Sequence, residues 1–205
     1  MKTAKKDYHP LSVLLHWGAA FFVIASVISV EVGIRMSRTD PLRPTLLRFH
    51  MIAGHLVFAL NLLRLALFSV FGTPTPDGSD FHQVHAARFM HAILYGSIGF
   101  LACSGTILYL GQATGSYVLG VYIPEILSPM GLSMLAELHH LVSTAFIVFC
   151  GLHAAAALCM HYFGRQATLT KMKPEAAVTG YIAVPEPENY MRVDGVVVRT
   201  QRSSN

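Results

Sequence analysis

Residues 138–163 read LHHLVSTAFIVFCGLHAAAALCMHYF, a run without a single Asp, Glu, Lys or Arg. A stretch of this length and polarity predicts a helix that crosses a lipid bilayer, for which about 20 apolar residues suffice. It carries His139 and His153, fourteen residues apart. Fourteen helical residues rise about 21 Å and make nearly four whole turns, so both imidazoles point the same way at two depths. Because ionisable side chains inside a membrane are costly and usually functional, the pair predicts two stacked sites completed by neighbouring helices.

The composition indicates an integral membrane protein. Hydrophobic residues make up 53% of the 205 residues and charged residues only 13%, whereas soluble domains carry roughly a quarter charged residues. Four apolar runs are long enough to span a bilayer, and their separations suit an up-down bundle. These runs are residues 12–32, 51–71, 89–110 and 138–163. We therefore predict an all-α fold, a four-helix membrane bundle, and no nucleic-acid partner.

Basic residues near the ends of the spans indicate the orientation. With a cytoplasmic N-terminus, seven Lys and Arg lie inside and four outside, so both termini are predicted to be cytoplasmic. The inner set is Lys2, Lys5, Lys6, Arg88, Arg165, Lys171 and Lys173, and the outer set is Arg35, Arg38, Arg43 and Arg48. The first run also resembles a secretory signal, but no small-residue cleavage site follows it, so we interpret it as a retained helix.

The chain beyond the fourth run turns polar. We predict one membrane domain over residues 8–174 and a mobile cytoplasmic tail over residues 175–205. Within the tail, the consecutive residues Val196, Val197 and Val198 favour a short strand.

Depth in the membrane sorts the eleven histidines. His16 lies near the inner end of the first span, and His50 lies at the outer end of the second. On the fourth span, His139 is outer and His153 is inner. We therefore predict that His50 meets His139 at an outer level and that His16 meets His153 at an inner level. His91, near the inner end of the third span, is the rival ligand at the inner level.

The other histidines have no equally good partner matched by depth. His55, His140 and His161 lie on predicted spans, and His161 together with His91 is also compatible with a proton-coupled site, since imidazole titrates near neutral pH. We interpret three histidines as loop residues: His9, His82 and His85.

Two facing histidines in an apolar bundle favour haem over a bare metal ion. Imidazole binds zinc, copper and iron, but no cysteine or carboxylate completes a tetrahedral zinc set here, whereas a porphyrin supplies four ligands itself. The sequence has no C-x-x-C-H attachment motif, so the haem would be of the b type. We predict two haems b, an inner one bound by His16 and His153 and an outer one bound by His50 and His139. A non-redox protein whose histidines bind a transition-metal ion or carry protons is the open alternative.

Arg64 is the other costly residue of the membrane interior. It lies fourteen residues after His50, about 21 Å inward on nearly the same helix face, which brings it to the inner level. A guanidinium there can pair with a haem propionate by charge-assisted hydrogen bonds. The alternative is that the side chain extends to the inner headgroups.

At these residues the chain resembles the bacterial four-helix, di-haem cytochrome b561 family, and most closely its superoxide oxidase subgroup. The resemblance covers about residues 8–174. The segments that carry it are Leu15-His16-Trp17, Phe49-His50 through Gly54, Asn61-Leu62-Leu63-Arg64-Leu65, His91 through Tyr95, Gly151-Leu152-His153-Ala154-Ala155-Ala156-Ala157-Leu158, His161-Tyr162-Phe163 and Thr168-Leu169.

The resemblance implies electron transfer in a bacterial inner membrane. It implies that the histidines of the first and fourth helices hold one haem and that those of the second and fourth helices hold the other. It further implies that superoxide is oxidised at the periplasmic face and that ubiquinone is reduced near the inner face, where Arg64, His91 and His161 are candidate quinone-site residues. A cytochrome b subunit that exchanges electrons between a periplasmic redox protein and the quinone pool is the alternative function.

The predicted first external loop is unusually basic. Four arginines near an outer haem would raise the local concentration of a small anion such as superoxide. Attraction to anionic headgroups, or docking of an acidic protein, explains the same charges equally well. The four are Arg35, Arg38, Arg43 and Arg48.

Overall fold

Four long helices form the computed structural model, in agreement with the predicted all-α membrane bundle. The structure describes residues 8–72, 81–112, 117–118, 121–122, 127–163, 172, 190–193 and 196–199. Helix α1 spans Pro10–Arg35, α2 Leu42–Phe71, α3 Phe81–Gln112 and α4 Pro129–Tyr162. All four are long and apolar enough to cross a membrane.

Two short antiparallel hairpins accompany the helices. The first lies between α3 and α4 and pairs β1 (Tyr117–Val118) with β2 (Val121–Tyr122). The second pairs β3 (Tyr190–Val193) with β4 (Val196–Arg199), so the valine run predicted to favour a strand lies on β4. The division into residues 8–174 and a mobile tail stays a prediction, since most of the tail lies outside the described residues.

The helix ends follow ordinary capping chemistry. At the start of α1, the His9 imidazole accepts a hydrogen bond from the Leu11 amide (3.2 Å) and Pro10 occupies the first turn. Ser128 caps α4 by accepting from the Gly131 amide (3.2 Å). Gly72 ends α2 with φ of 72°, a conformation that favours glycine.

The helices extend beyond the predicted spans at three loops, and this corrects several residue assignments. Because α3 begins at Phe81 and α4 at Pro129, the second and third loops are shorter than predicted. His82 and His85, predicted as loop residues, lie on the exposed first turns of α3. Arg43 and Arg48, predicted in the first external loop, lie on α2. Helices carry charged residues at ends that reach past the hydrocarbon core, so hydropathy alone underestimates their length.

The bundle consists of two helical hairpins. α1 packs closely along α2, α3 packs against α4, and α2 and α3 make fewer contacts. Close approach in the first hairpin depends on Gly33, where a Cβ would lie 3.3 Å from Leu47 Cδ2. Most of the buried side chains lie on α1 and α2, whereas many long apolar side chains of all four helices are exposed, as expected for a surface in lipid.

Candidate functional site

Three histidines from three helices converge at one level of the bundle, which we call the inner level. His16 on α1 and His153 on α4 have their ring centroids 6.4 Å apart, with the ring planes at 74°. His91 on α3 lies 5.4 Å from His153 by the same measure, at 62°. The structure thus brings together the predicted inner pair and also its predicted rival.

The separation of His16 and His153 fits two imidazoles on opposite sides of one metal atom. A metal–nitrogen bond of about 2 Å, with the nitrogen about 1.1 Å from the ring centre, places two such centres about 6.2 Å apart. The 6.4 Å observed for His16 and His153 is close to this value, and the 5.4 Å for His91 and His153 is shorter. The geometry therefore favours His16 as the partner of His153.

Arg64 joins this inner group. Its side chain is buried, with 9% of its surface exposed. One guanidinium nitrogen donates to His16 Nδ1 over 3.1 Å, and the guanidinium carbon lies 5.1 Å from the ring centroid of Phe68. The Nε atom has no hydrogen-bond partner. The arginine therefore points into the bundle instead of extending to the inner headgroups, and it retains capacity to bind an anion.

His50 and His139 line one cavity at the opposite level, which we call the outer level. The cavity has a volume of about 540 Å³, within the range of about 300–1,000 Å³ typical of ligand sites. It lies among α1, α2, α3 and α4. Space beside the ligands comes from Gly54, where a Cβ would meet no atom within 4 Å, and from Gly105, where a Cβ would lie 3.5 Å from His139 Cε1.

Each outer histidine is hydrogen-bonded through Nδ1 to the other helix of its own hairpin. His50 Nδ1 on α2 lies 2.9 Å from Ser26 Oγ and 3.0 Å from the Ser26 carbonyl oxygen, both on α1. His139 Nδ1 on α4 lies 2.7 Å from Ser104 Oγ on α3. Sequence reasoning missed both serines, because single serines are common in membrane helices and hydrogen-bond within their own helix.

The donor set fits haem better than a bare ion. In the described part of the chain, no three His, Cys, Asp or Glu side chains lie close enough to hold a metal ion. The two predicted pairs, His16 with His153 and His50 with His139, suit a cofactor that brings its own equatorial ligands, and His91 is a third imidazole at the inner level. The apolar outer cavity and the separation of the inner rings meet that requirement.

The four outer arginines have different surroundings, and Arg38 is exposed in the turn between α1 and α2. Arg35, at the end of α1, forms an ion pair with Glu31 at 2.6 Å. Arg43 is half-buried, with an Nε that has no hydrogen-bond partner. Arg48 is exposed and lines the outer cavity together with His50 and His139. The structure thus brings Arg48 to the predicted outer site, and the charge of Arg35 is partly neutralised by Glu31.

Of the other histidines on the predicted spans, His161 lies apart from both pairs, whereas His55 lines the outer cavity. His161 is on the last turn of α4, about 12 Å beyond His153 along the helix, and its buried Nδ1 has no hydrogen-bond partner. It is therefore not part of the inner group with Arg64 and His91. His55 connects α2 to α3 through Nε2, which lies 2.9 Å from Thr106 Oγ1.

Comparison with known proteins identifies a family and two relatives. The family described as prokaryotic cytochrome b561 matches residues 7–175. Cytochrome b561 homolog 1 of Escherichia coli K12 is 24% identical over 166 residues, covering 79% of this chain and 94% of that protein. The probable superoxide oxidase CybB of Yersinia pestis is 25% identical over 174 residues, covering 83% of this chain and 97% of that protein.

The family match covers most of the chain and all four helices. Its cofactor class, haem b, suits the paired histidines and the cavity between them. The chain therefore belongs to the prokaryotic cytochrome b561 family, as a multi-pass membrane protein of electron transfer with haem b as its implied cofactor.

Proposed function

We propose that this protein is a di-haem cytochrome that oxidises superoxide at the periplasmic face of the inner membrane and reduces ubiquinone. His16 and His153 would hold the inner haem, and His50 and His139 the outer one. Haem b, when bound, supplies reversible one-electron chemistry. The proposal keeps the predicted orientation, with both termini in the cytoplasm and the outer level facing the periplasm.

The observation that carries the proposal is the position of Arg48. Its exposed side chain lines the same cavity as His50 and His139. A cation at the rim of a low-dielectric cavity attracts small anions and raises their rate of encounter. Superoxide is a small anion with one electron to give, so Arg48 is placed to receive it beside the proposed outer ligands.

The relative from Yersinia pestis supports the same substrate, because it is named a probable superoxide oxidase. The proposed overall reaction is balanced with two superoxide anions for each quinone. Each anion loses one electron and leaves as dioxygen, and ubiquinone takes two electrons and two protons to become ubiquinol. No other oxidant or reductant is needed.

The inner level is the proposed site at which ubiquinone binds and is reduced. Arg64 is buried there with an Nε that has no hydrogen-bond partner, and His91 lies beside His153. Both side chains can donate hydrogen bonds to a quinone carbonyl. His161 lies about 12 Å farther along α4, so it would lie at the entrance of the proposed ubiquinone site and would not contact the quinone ring.

The proposal is tested with the purified, haem-loaded protein in detergent with ubiquinone. Pulses of superoxide should reduce the haem rapidly, and quinone reduction should follow. Arg48→Gln should lower the second-order rate about threefold to tenfold at low ionic strength, and added salt should narrow the difference, because steering by charge is screened. Arg35→Gln is the matched control, since it removes the same charge from an exposed residue that does not line the cavity.

Two outcomes contradict the proposal. If superoxide leaves the haem oxidised, the substrate assignment is wrong, and reduction by an added periplasmic redox protein would then support the electron-transfer subunit instead. If Arg35→Gln slows the reaction as much as Arg48→Gln, the cavity position of Arg48 has no special role.

A further inference from the structure

We propose that Ser26 and Ser104 are positioning residues that hold His50 and His139 in the form that binds iron. A neutral imidazole has one protonated nitrogen and one nitrogen with a free lone pair. When Nδ1 carries the proton, Nε2 can bind iron, so the hydrogen-bond partner of Nδ1 decides whether the Nε2 lone pair is free. This inference rests on the proposed di-haem function and goes beyond it, because it assigns roles to two helices that supply no outer ligand.

The hydrogen bonds of Ser104 determine which nitrogen of His139 carries a proton. The Ser104 hydroxyl lies 2.8 Å from the Phe100 carbonyl oxygen and 2.7 Å from His139 Nδ1. A hydroxyl has one proton, and the carbonyl can only accept, so the proton goes to Phe100. The serine oxygen must then accept from Nδ1–H. Both contacts are satisfied only when His139 has its free lone pair on Nε2.

The hydrogen bonds of Ser26 lead to the same result for His50. His50 Nδ1 lies 3.0 Å from the Ser26 carbonyl oxygen, which can only accept, so Nδ1 carries the proton. The Ser26 hydroxyl donates to the His50 carbonyl (3.3 Å) and can accept from the same Nδ1–H (2.9 Å). His50 therefore has two acceptors on α1, one from the side chain and one from the backbone.

The inner level has the opposite polarity at the corresponding place. A guanidinium can only donate, so Arg64 donates a hydrogen bond to the His16 Nδ1 lone pair instead of accepting one. In the part of the chain that the structure describes, no serine is hydrogen-bonded to this ring. Substitutions at Ser26 and Ser104 should therefore affect one of the two haems and leave the other as an internal reference in the same molecule.

The two serine substitutions should have unequal effects, because the two outer histidines differ in the number of hydrogen-bond acceptors at Nδ1. Among the described residues, Ser104 is the hydrogen-bond partner of His139 Nδ1, and Ser104→Ala removes it, whereas Ser26→Ala leaves the carbonyl acceptor of His50 in place. Partners of ligand imidazoles typically contribute 10- to 100-fold to metal affinity. We expect about tenfold weaker haem retention at the outer site in Ser104→Ala, and about threefold or less in Ser26→Ala.

Loss of the acceptor should also change the redox equilibrium. An acceptor on Nδ1–H makes the imidazole a stronger donor and stabilises oxidised iron. In Ser104→Ala the ratio of reduced to oxidised outer haem at a fixed potential should rise about threefold to tenfold, where tenfold corresponds to 59 mV for one electron.

The experiment compares the full-length wild-type protein with Ser104→Ala, Ser104→Thr, Ser26→Ala and a matched control, Ser143→Ala. Ser143 also lines the outer cavity, but its hydroxyl donates to the His140 carbonyl of its own helix and to no imidazole. The measurements are the haem-to-protein ratio after dialysis against an apo-protein acceptor, a redox titration of the visible spectrum and the low-spin EPR signals.

The supporting result is a change at one haem in Ser104→Ala, a smaller change in Ser26→Ala, recovery in Ser104→Thr and none in Ser143→Ala. Equal spectra, potentials and retention in wild type and Ser104→Ala overturn the inference while leaving the di-haem proposal intact. A wild-type protein that binds no haem overturns the di-haem proposal itself. If Ser104→Ala does not fold, Ser104→Cys keeps nearly the same volume and replaces the hydroxyl oxygen by a weak acceptor, so unchanged retention and potential of the outer haem in that variant overturn the inference.

Discussion

The guanidinium of Arg64 donates to His16 Nδ1 over 3.1 Å, so a buried cation of α2 is bonded to a neutral ring of α1. In the described part of the chain, no carboxylate pairs with Arg64. A buried charge without a counter-ion is costly, and a haem propionate would supply the missing anion. The same bond occupies the Nδ1 lone pair of His16, so we infer that Arg64 turns from His16 toward that anion when the inner site is loaded.

Arg64→Met should therefore weaken retention of the inner haem. Hydrogen bonds to charged groups contribute about 1.5–3 kcal/mol, which predicts roughly 10- to 100-fold weaker binding at that level and no change at the outer one. Arg64→Lys keeps the charge and should retain more haem than Arg64→Met. Haem-to-protein ratios after dialysis measure both, and equal retention in wild type and Arg64→Met would argue against a propionate partner.

The four proposed ligands should separate into two pairs when they are replaced by alanine. His50→Ala and His139→Ala should each lose the outer haem, and His16→Ala and His153→Ala should each lose the inner one, because an axial imidazole has no substitute in an apolar cavity. Reduced-minus-oxidised spectra should show the ratio falling from about two haems per chain to about one.

His91→Ala tests whether His16 or His91 is the second ligand of the inner haem beside His153. Its ring centroid lies 5.4 Å from that of His153, so it is near enough to compete for the inner iron. We expect both haems to remain in His91→Ala, as the 6.4 Å separation of His16 and His153 fits two axial ligands better. Loss of the inner haem in His91→Ala, with retention in His16→Ala, would reverse the assignment.

Gly54→Phe should block the outer site without breaking the bundle. Gly54 lines the outer cavity, and a Cβ there meets no atom within 4 Å, so a large side chain can enter the space intended for the cofactor. We expect one haem per chain and an unchanged helical circular dichroism spectrum. Gly54→Ala is the control and should keep both haems.

Gly33→Ala and Gly96→Ala should change stability in opposite directions. A Cβ at Gly33 would lie 3.3 Å from Leu47 Cδ2 and 3.4 Å from Leu46 Cβ, so these side chains of α2 must shift by a few tenths of an ångström, and we expect a cost of about 1 kcal/mol. At Gly96 on α3 a Cβ meets nothing within 4 Å, and alanine is a better helix former by roughly 1 kcal/mol. Thermal unfolding in detergent measures both shifts.

Hydropathy and helix geometry were sufficient to predict the four spans. The spacing of fourteen residues predicted two levels for His139 and His153, and the structure has both residues on one continuous helix. Helix ends were underestimated, because charged residues such as Arg43 and Arg48 continue a helix beyond the hydrocarbon core. A loop prediction based on polarity cannot detect that continuation.

The contacts between helices were the part that sequence could not supply. Depth alone leaves rotation about each helix axis undetermined, so His16 and His91 were both acceptable partners for His153. For the same reason nothing singled out Ser104, one serine among several in the spans, as the partner of His139. Arg64 was predicted at the correct level, but its bond to His16 depends on side-chain packing.

The division of the bundle into two closely packed hairpins has a consequence for biogenesis. Few contacts join α2 to α3, whereas α1 with α2 and α3 with α4 are well packed. Each proposed haem is ligated from both hairpins, since His16 and His50 come from the first and His139 and His153 from the second. The cofactors would then serve as cross-links between two independently inserted halves, and a cell short of haem should accumulate a loosely joined chain that membrane proteases degrade.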